Sequence, residues 1–97
     1  MRLDELGFPE LTAEQIELLC QTTETVARRY ILNQVPGKDV CRLDISVEVE
    51  GTKPVNVVIE VDLLLSKQAG TVDVETLVKE AVDAGHDAAE NFLRKIQ

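Results

Sequence analysis

The stretch VCRLDISVEVE at residues 40–50, with GTKPV at 51–55 and NVVIEVDLLL at 56–65, decides the fold. Its odd positions are Cys41, Leu43, Ile45, Val47 and Val49, then Val55, Val57, Ile59, Val61, Leu63 and Leu65. Side chains alternate across a strand, so this parity predicts a hairpin whose two strands share one aliphatic face. The other parity, with Arg42, Asp44, Ser46, Glu48, Glu50, Asn56, Glu60 and Asp62, predicts a mostly acidic surface behind it. The turn centres on Gly51-Thr52-Lys53-Pro54, where Gly and Pro punctuate two runs rich in β-branched residues. If Val49 shares a face with the odd residues of the second strand, facing residue numbers sum to an even value. That requires a three- or five-residue loop, or a bulge.

Towards the N-terminus, Phe8-Pro9-Glu10-Leu11 is a short lead-in, and Thr12 followed by Gln15 reads as a capping box opening a helix. Ile16, Leu19, Cys20, Thr23, Val26, Ala27, Tyr30 and Ile31 recur at helical spacing, giving a stripe that lies against a sheet. This helix is expected to end near Asn33. Val35-Pro36-Gly37-Lys38-Asp39 has the chemistry of a loop, because Pro36 disfavours helical geometry at Val35 and Gly37 accepts positive φ.

Towards the C-terminus, Ser66-Lys67-Gln68-Ala69-Gly70 crosses to a second helix capped by Asp73, with Thr71 as the alternative. Its stripe is Val74, Leu77, Val78, Ala81, Val82, Gly85, Ala88, Ala89, Phe92, Leu93 and Ile96. Gly85 costs a helix about 1 kcal/mol relative to Ala. Its place among Ala81, Ala88 and Ala89 therefore predicts close backbone approach to a neighbour. The expected architecture is one α+β domain over residues 1–97, a two-layer α-β-β-α arrangement in which a long antiparallel hairpin carries both helices on one face.

Ninety-seven residues suffice for one modest core. With 18 acidic residues against 10 basic ones the net charge is −8, which opposes approach to phosphate backbones and anionic lipid. Three aromatics, Phe8, Tyr30 and Phe92, leave the core aliphatic and give no platform on which unpaired bases stack. Cys20 and Cys41 fall on the expected apolar faces and show no CxxC pairing. A disulfide between them requires the end of the first helix to meet the start of the first strand. Met1 to Gly7 lack a signal-peptide pattern and no apolar run approaches a membrane span, so a reducing cytoplasm is the expectation.

The charged clusters read as solvated faces. Glu10, Glu14 and Glu17 open the first helix with Arg28 and Arg29 towards its end, and Asp73 and Glu75 open the second with Arg94 and Lys95 closing it. That placement offsets the helix dipole. His86, with Asp83 one turn before and Glu90 one turn after, is the best metal hypothesis in the chain, yet one His and two carboxylates are incomplete for structural zinc. Asp44, Glu48, Glu60 and Asp62 lack the convergent pocket that Mg²⁺ or Ca²⁺ requires. The Gly37-Lys38 pair precedes a strand instead of opening a helix, so it is no phosphate loop. No catalytic, cofactor-binding or metal residue is assigned, and no cofactor is expected.

The helix start LTAEQIE, the strands VCRLDISVEVEG and VNVVIEVDLLLS, and the terminal helix VDVETLVKEAVDAGHDAAENFLRKI resemble the small archaeal family called domain of unknown function 3194. The resemblance covers nearly the whole chain and rests on no catalytic motif. It implies an archaeal cytosolic protein without established activity, whose gene neighbours that of a prefoldin β subunit. It supplies no site residues.

Two strands leave two open edges, and open edges invite pairing. The sequence therefore predicts a homodimer, joined across a strand edge or through the small-residue patch of the second helix. The expected function is a non-enzymatic protein-interaction module associated with cytosolic protein folding or translation. The alternative is an RNA-binding module that needs a basic patch of Arg28, Arg29, Lys38 and Arg42, although the net charge makes nucleic acid a poor default partner.

Overall fold

The computed structural model describes residues 11–50, 56–67 and 72–95. The lead-in at 8–10, the turn at 51–54, the connection at 68–70, Thr71 and Ile96 lie outside these residues. The elements are helix α1 (Ala13–Gln34), a single 3-10 turn (Gly37–Asp39), strands β1 (Val40–Glu50) and β2 (Asn56–Leu65), and helix α2 (Val74–Lys95). They build the expected two-layer α-β-β-α fold, with α1 lying over β1, α2 over β2, and the helices against each other.

Local chemistry sets the ends of α1. Thr12 Oγ1 accepts the Gln15 N–H at 3.1 Å while Gln15 Oε1 accepts the Thr12 N–H at 2.9 Å, a closed capping box. Val35, ahead of Pro36, is extended at φ −133° and ψ 132°, and its N–H donates to the Ile31 carbonyl at 3.0 Å. One expectation is corrected here: Gly37 has no positive φ. Pro36 leads the turn at φ −57°, and the Asp39 N–H closes it on the Pro36 carbonyl at 2.9 Å, so right-handed geometry suffices.

The cap of α2 is Asp73. Its Oδ1 accepts the Thr76 N–H at 3.2 Å and its Oδ2 the Thr76 hydroxyl at 2.8 Å. These bonds, the hydroxyl foremost, hold the Asp73 carboxyl below the ordinary carboxylate range against a smaller opposing desolvation. A carboxyl depressed in the folded state contributes stability that is present above its unfolded pKa and lost as pH falls through the folded one. Thermal melts across the acid range, below about pH 4, are expected to show a shallower loss of Tm for Asp73→Asn than for the parent, since Asn keeps the cap without the titration.

The hairpin register has the even sum that the parity requires: Leu43 faces Leu63, Val47 faces Ile59, and Val49 faces Val57. The last pair, Glu50 with Asn56, leaves five intervening residues. At the other end Val40 faces Leu65 while Arg42 faces Leu64, so Cys41 is an extra residue in β1. The bulge reverses the parity of the strand's first residue: Val40 packs on the core and Cys41 is exposed. The expected apolar setting of Cys41 is thus corrected, and both cysteines are free thiols.

Between the helices, Leu19, Thr23, Ala27 and Ile31 form the buried row of α1, and Leu77, Ala81, Gly85 and Ala89 that of α2. Four-residue rows interdigitating is the common helix-packing mode. Thr23 meets Gly85 near the middle while Ile31 clusters with Leu77 and Ala81, so the helices run antiparallel. An ideal Cβ on Gly85 stands 2.9 Å from Ile59 Cδ1, 3.4 Å from Thr23 Cγ2 and 3.6 Å from the Thr23 carbonyl oxygen. This is the close approach that the glycine predicted.

Thr23 is completely buried, and its Oγ1 has no hydrogen-bond partner among the described residues. An enclosed, unpaired hydroxyl costs about 1–3 kcal/mol in desolvation. Thr23→Val, which keeps the shape and removes the hydroxyl, is expected to raise stability by about 1 kcal/mol, read as a higher urea midpoint at unchanged slope.

Candidate docking edge of the hairpin

Among the described residues the sheet contains β1 and β2 alone, so each strand is paired on one side only. The two open edges differ. β1 carries the bulge at Cys41 and the charged Arg42 beside it, and a bulge together with a basic side chain protects an edge from further pairing. β2 runs ten residues, Asn56–Leu65, in regular register, with no proline, lysine or arginine. It is the less protected edge, with Glu60 and Asp62 as its charged side chains.

On the outward face of the ribbon, Asp44 lies directly opposite Asp62, a like-charge pair that is destabilising by itself. Arg42 mends it: its Nη2 reaches Asp62 Oδ2 at 2.8 Å and its Nε lies 3.8 Å from Asp44 Oδ2. Glu60 faces Ser46, and Glu48 faces Val58. The outward face also carries Leu64, which is 52% exposed, and half-buried Val58. The alternation reading left both out; the uninterrupted runs Val57-Val58-Ile59 and Leu63-Leu64-Leu65 were the available signal.

Other candidate groups are engaged elsewhere. Arg28 Nη2 bonds Glu24 Oε1 at 2.8 Å one turn earlier in α1. The last turn of α1 contains no basic residue, which corrects the dipole role expected of Arg28 and Arg29. Two members of the proposed basic patch, Arg28 and Arg42, are therefore paired with carboxylates. In α2, Glu75 in the first turn and Arg94 and Lys95 in the last do offset the dipole. Asp83, His86 and Glu90 are exposed on this helix, and Glu90 pairs with Arg94. Among the described residues no three His, Cys, Asp or Glu side chains converge as a metal-binding group.

Tyr30 of α1 lies near Glu80 of α2. Burial, then the charge of Glu80 and a hydrogen bond to it, push the Tyr30 phenol above its ordinary pKa. Burial likewise raises the Cys20 thiol. The small-residue row of α2, one route to the expected homodimer, is filled from within the chain by α1: Ala81 is fully buried and Ala89 nearly so. Of the two expected routes to an assembly, the strand edge is the one left open.

The profile of the family described as protein of unknown function, DUF3194, matches residues 8–92. The chain belongs to this family. Similar proteins include an uncharacterised protein of Thermococcus kodakarensis, 30% identical over 95 residues that cover 98% of this chain and 87% of that one. An uncharacterised protein of Pyrococcus furiosus is 26% identical over 95 residues, covering 94% and 81%. Among solved structures, the solution structure of a hypothetical protein from Methanothermobacter thermautotrophicus superposes at TM-score 0.77 with 28% identity, over 94% of this chain and 98% of that one. A crystal structure from Thermococcus onnurineus superposes at 0.76 with 25% identity, over 91% and 84%. The fold is thus shared with both of these solved structures. Among the described residues, no helix is long and apolar enough to cross a membrane.

Proposed function

We propose that this protein is a cytoplasmic, non-enzymatic protein-interaction module that docks a partner polypeptide along the open edge of β2. The observation that carries the reading is the regular ten-residue strand, paired on one side only among the described residues and free of the bulge and the basic side chain found on β1. Backbone groups on such an edge accept an added strand, with main-chain hydrogen bonds supplying affinity and alternate side chains supplying specificity. The charged residues support this reading through what they already do: Glu24, Glu90, Asp44 and Asp62 are paired with arginines, and Asp73 caps a helix. A setting in protein folding or translation rests on the gene neighbourhood that the family resemblance implies.

Affinity capture from native extract tests the module. The parent chain is expected to retain a polypeptide partner, and Leu64→Lys, which adds a charge to the edge, to lose it with folding intact. Repeated recovery of the protein alone would overturn the proposal.

A further inference from the structure

The chemistry around β2 narrows what its edge accepts. Resting on the docking role above, we infer that the occupant is an extended partner segment alternating aliphatic and basic residues, added to the sheet as a third strand beside β2.

The outward side of such a strand lies next to Glu60 and Asp62, with Glu48 and Asp44 behind them on β1 and Arg42 as the cation in that row. Opposite charges across a strand pair are favourable and like charges are not, so Lys or Arg fits where Asp or Glu is repelled. The chain's net charge of −8 steers a basic partner in the same sense.

The inward side meets a different surface. α2 lies over β2. Its residues Val78, Val82 and Leu93 fall within one arc of the helix, on the flank opposite Glu80, which faces Tyr30 of α1. All three are half-buried. An added strand beneath that flank covers them with its aliphatic residues, continuing the row of Val57, Ile59, Val61 and Leu63.

A second copy of this chain fits the edge less well. Antiparallel self-pairing that keeps the aliphatic faces together needs an even-sum register. Registers centred on Glu60, Val61 or Asp62 set Glu60 against Glu60, Glu60 against Asp62, or Asp62 against Asp62. The register centred on Ile59 avoids these pairs only by leaving Leu63, Leu64 and Leu65 outside the ladder, and registers displaced further shorten it again.

Isotope-labelled full-length protein titrated with two end-blocked peptides of β2's length decides the matter, one alternating valine and lysine, the other valine and glutamate. The valine–lysine peptide is expected to shift and protect β2 amides. Its binding is expected to weaken several-fold between about 0.05 and 0.5 M salt, and about tenfold or more in the folded double variant Glu60→Lys, Asp62→Lys. Equal binding of the valine–glutamate peptide, or a footprint on β1, overturns the inference. So does a light-scattering mass of twice 10.7 kDa with β2 amides protected in the free protein, which identifies a second copy as the occupant. If native extract yields an edge-bound partner while neither peptide binds, this inference fails and the docking role stands. If neither partner nor peptide binds, both fail.

Discussion

Replacing Gly85 with leucine is expected to destabilise the domain by about 3 kcal/mol or more, the upper end of what overpacking a tight interior costs. The Cβ alone meets Ile59 Cδ1 at 2.9 Å and the backbone oxygen of Thr23 at 3.6 Å, so further carbons have no room unless α2 lifts from α1 or from β2. Lifting the helix uncovers Leu19, Ala81 and Ala89 together, because they lie in the same interlocked rows. Gly85→Ala is the informative companion. It asks only the flexible tip of Ile59 to move by a few tenths of an ångström, while alanine returns about 1 kcal/mol of helix propensity. The alanine variant is therefore expected within about 1 kcal/mol of the parent. Urea unfolding of both variants at matched slope reads the contrast. A leucine variant as stable as the alanine one would contradict the close helix crossing.

Ile31→Ala is expected to cost about 2–5 kcal/mol, from lost transfer energy and the cavity left behind. Ile31 is fully buried in the cluster with Val35, Leu77 and Ala81, against which Tyr30, Val40, Leu43, Val61, Leu63 and Leu65 also pack. These neighbours come from both helices and both strands, so collapse around the void means moving several elements at once. In a domain of this size each kcal/mol lowers Tm by about 4–8 °C. The next residue, Leu32, is 43% exposed, and Leu32→Ala is expected to change stability by less than about 1 kcal/mol. Scanning calorimetry on the two neighbouring variants separates burial from helix propensity, since both replace a branched aliphatic residue in the same helix.

Much of this fold was legible because its signals are local. The alternation from Leu43 to Val49 and from Val57 to Leu63 forces an even-sum register in any hairpin that buries one face. The Thr12–Gln15 box and the Val35-Pro36 step act within one turn of chain. The bulge was not legible. Val40 turns inward only because it faces Leu65, while the Ser66 N–H reaches the Asp39 carbonyl at 2.8 Å, a contact between segments far apart in sequence. The partner of Arg28 was legible but unread: Glu24, four residues earlier on the same helix face, was its signal. As for the candidate site, parity exposed the existence of free edges, but the difference between them rests on that same bulge.

The bulge also equips the protein with a chemical handle. Cys41 faces solvent at the start of β1, whereas Cys20 is half-buried with a thiol less ready to ionise. At neutral pH a thiol-reactive dye therefore marks the hairpin before it marks the helix, and a single probe installed this way reports on the sheet without any engineered cysteine.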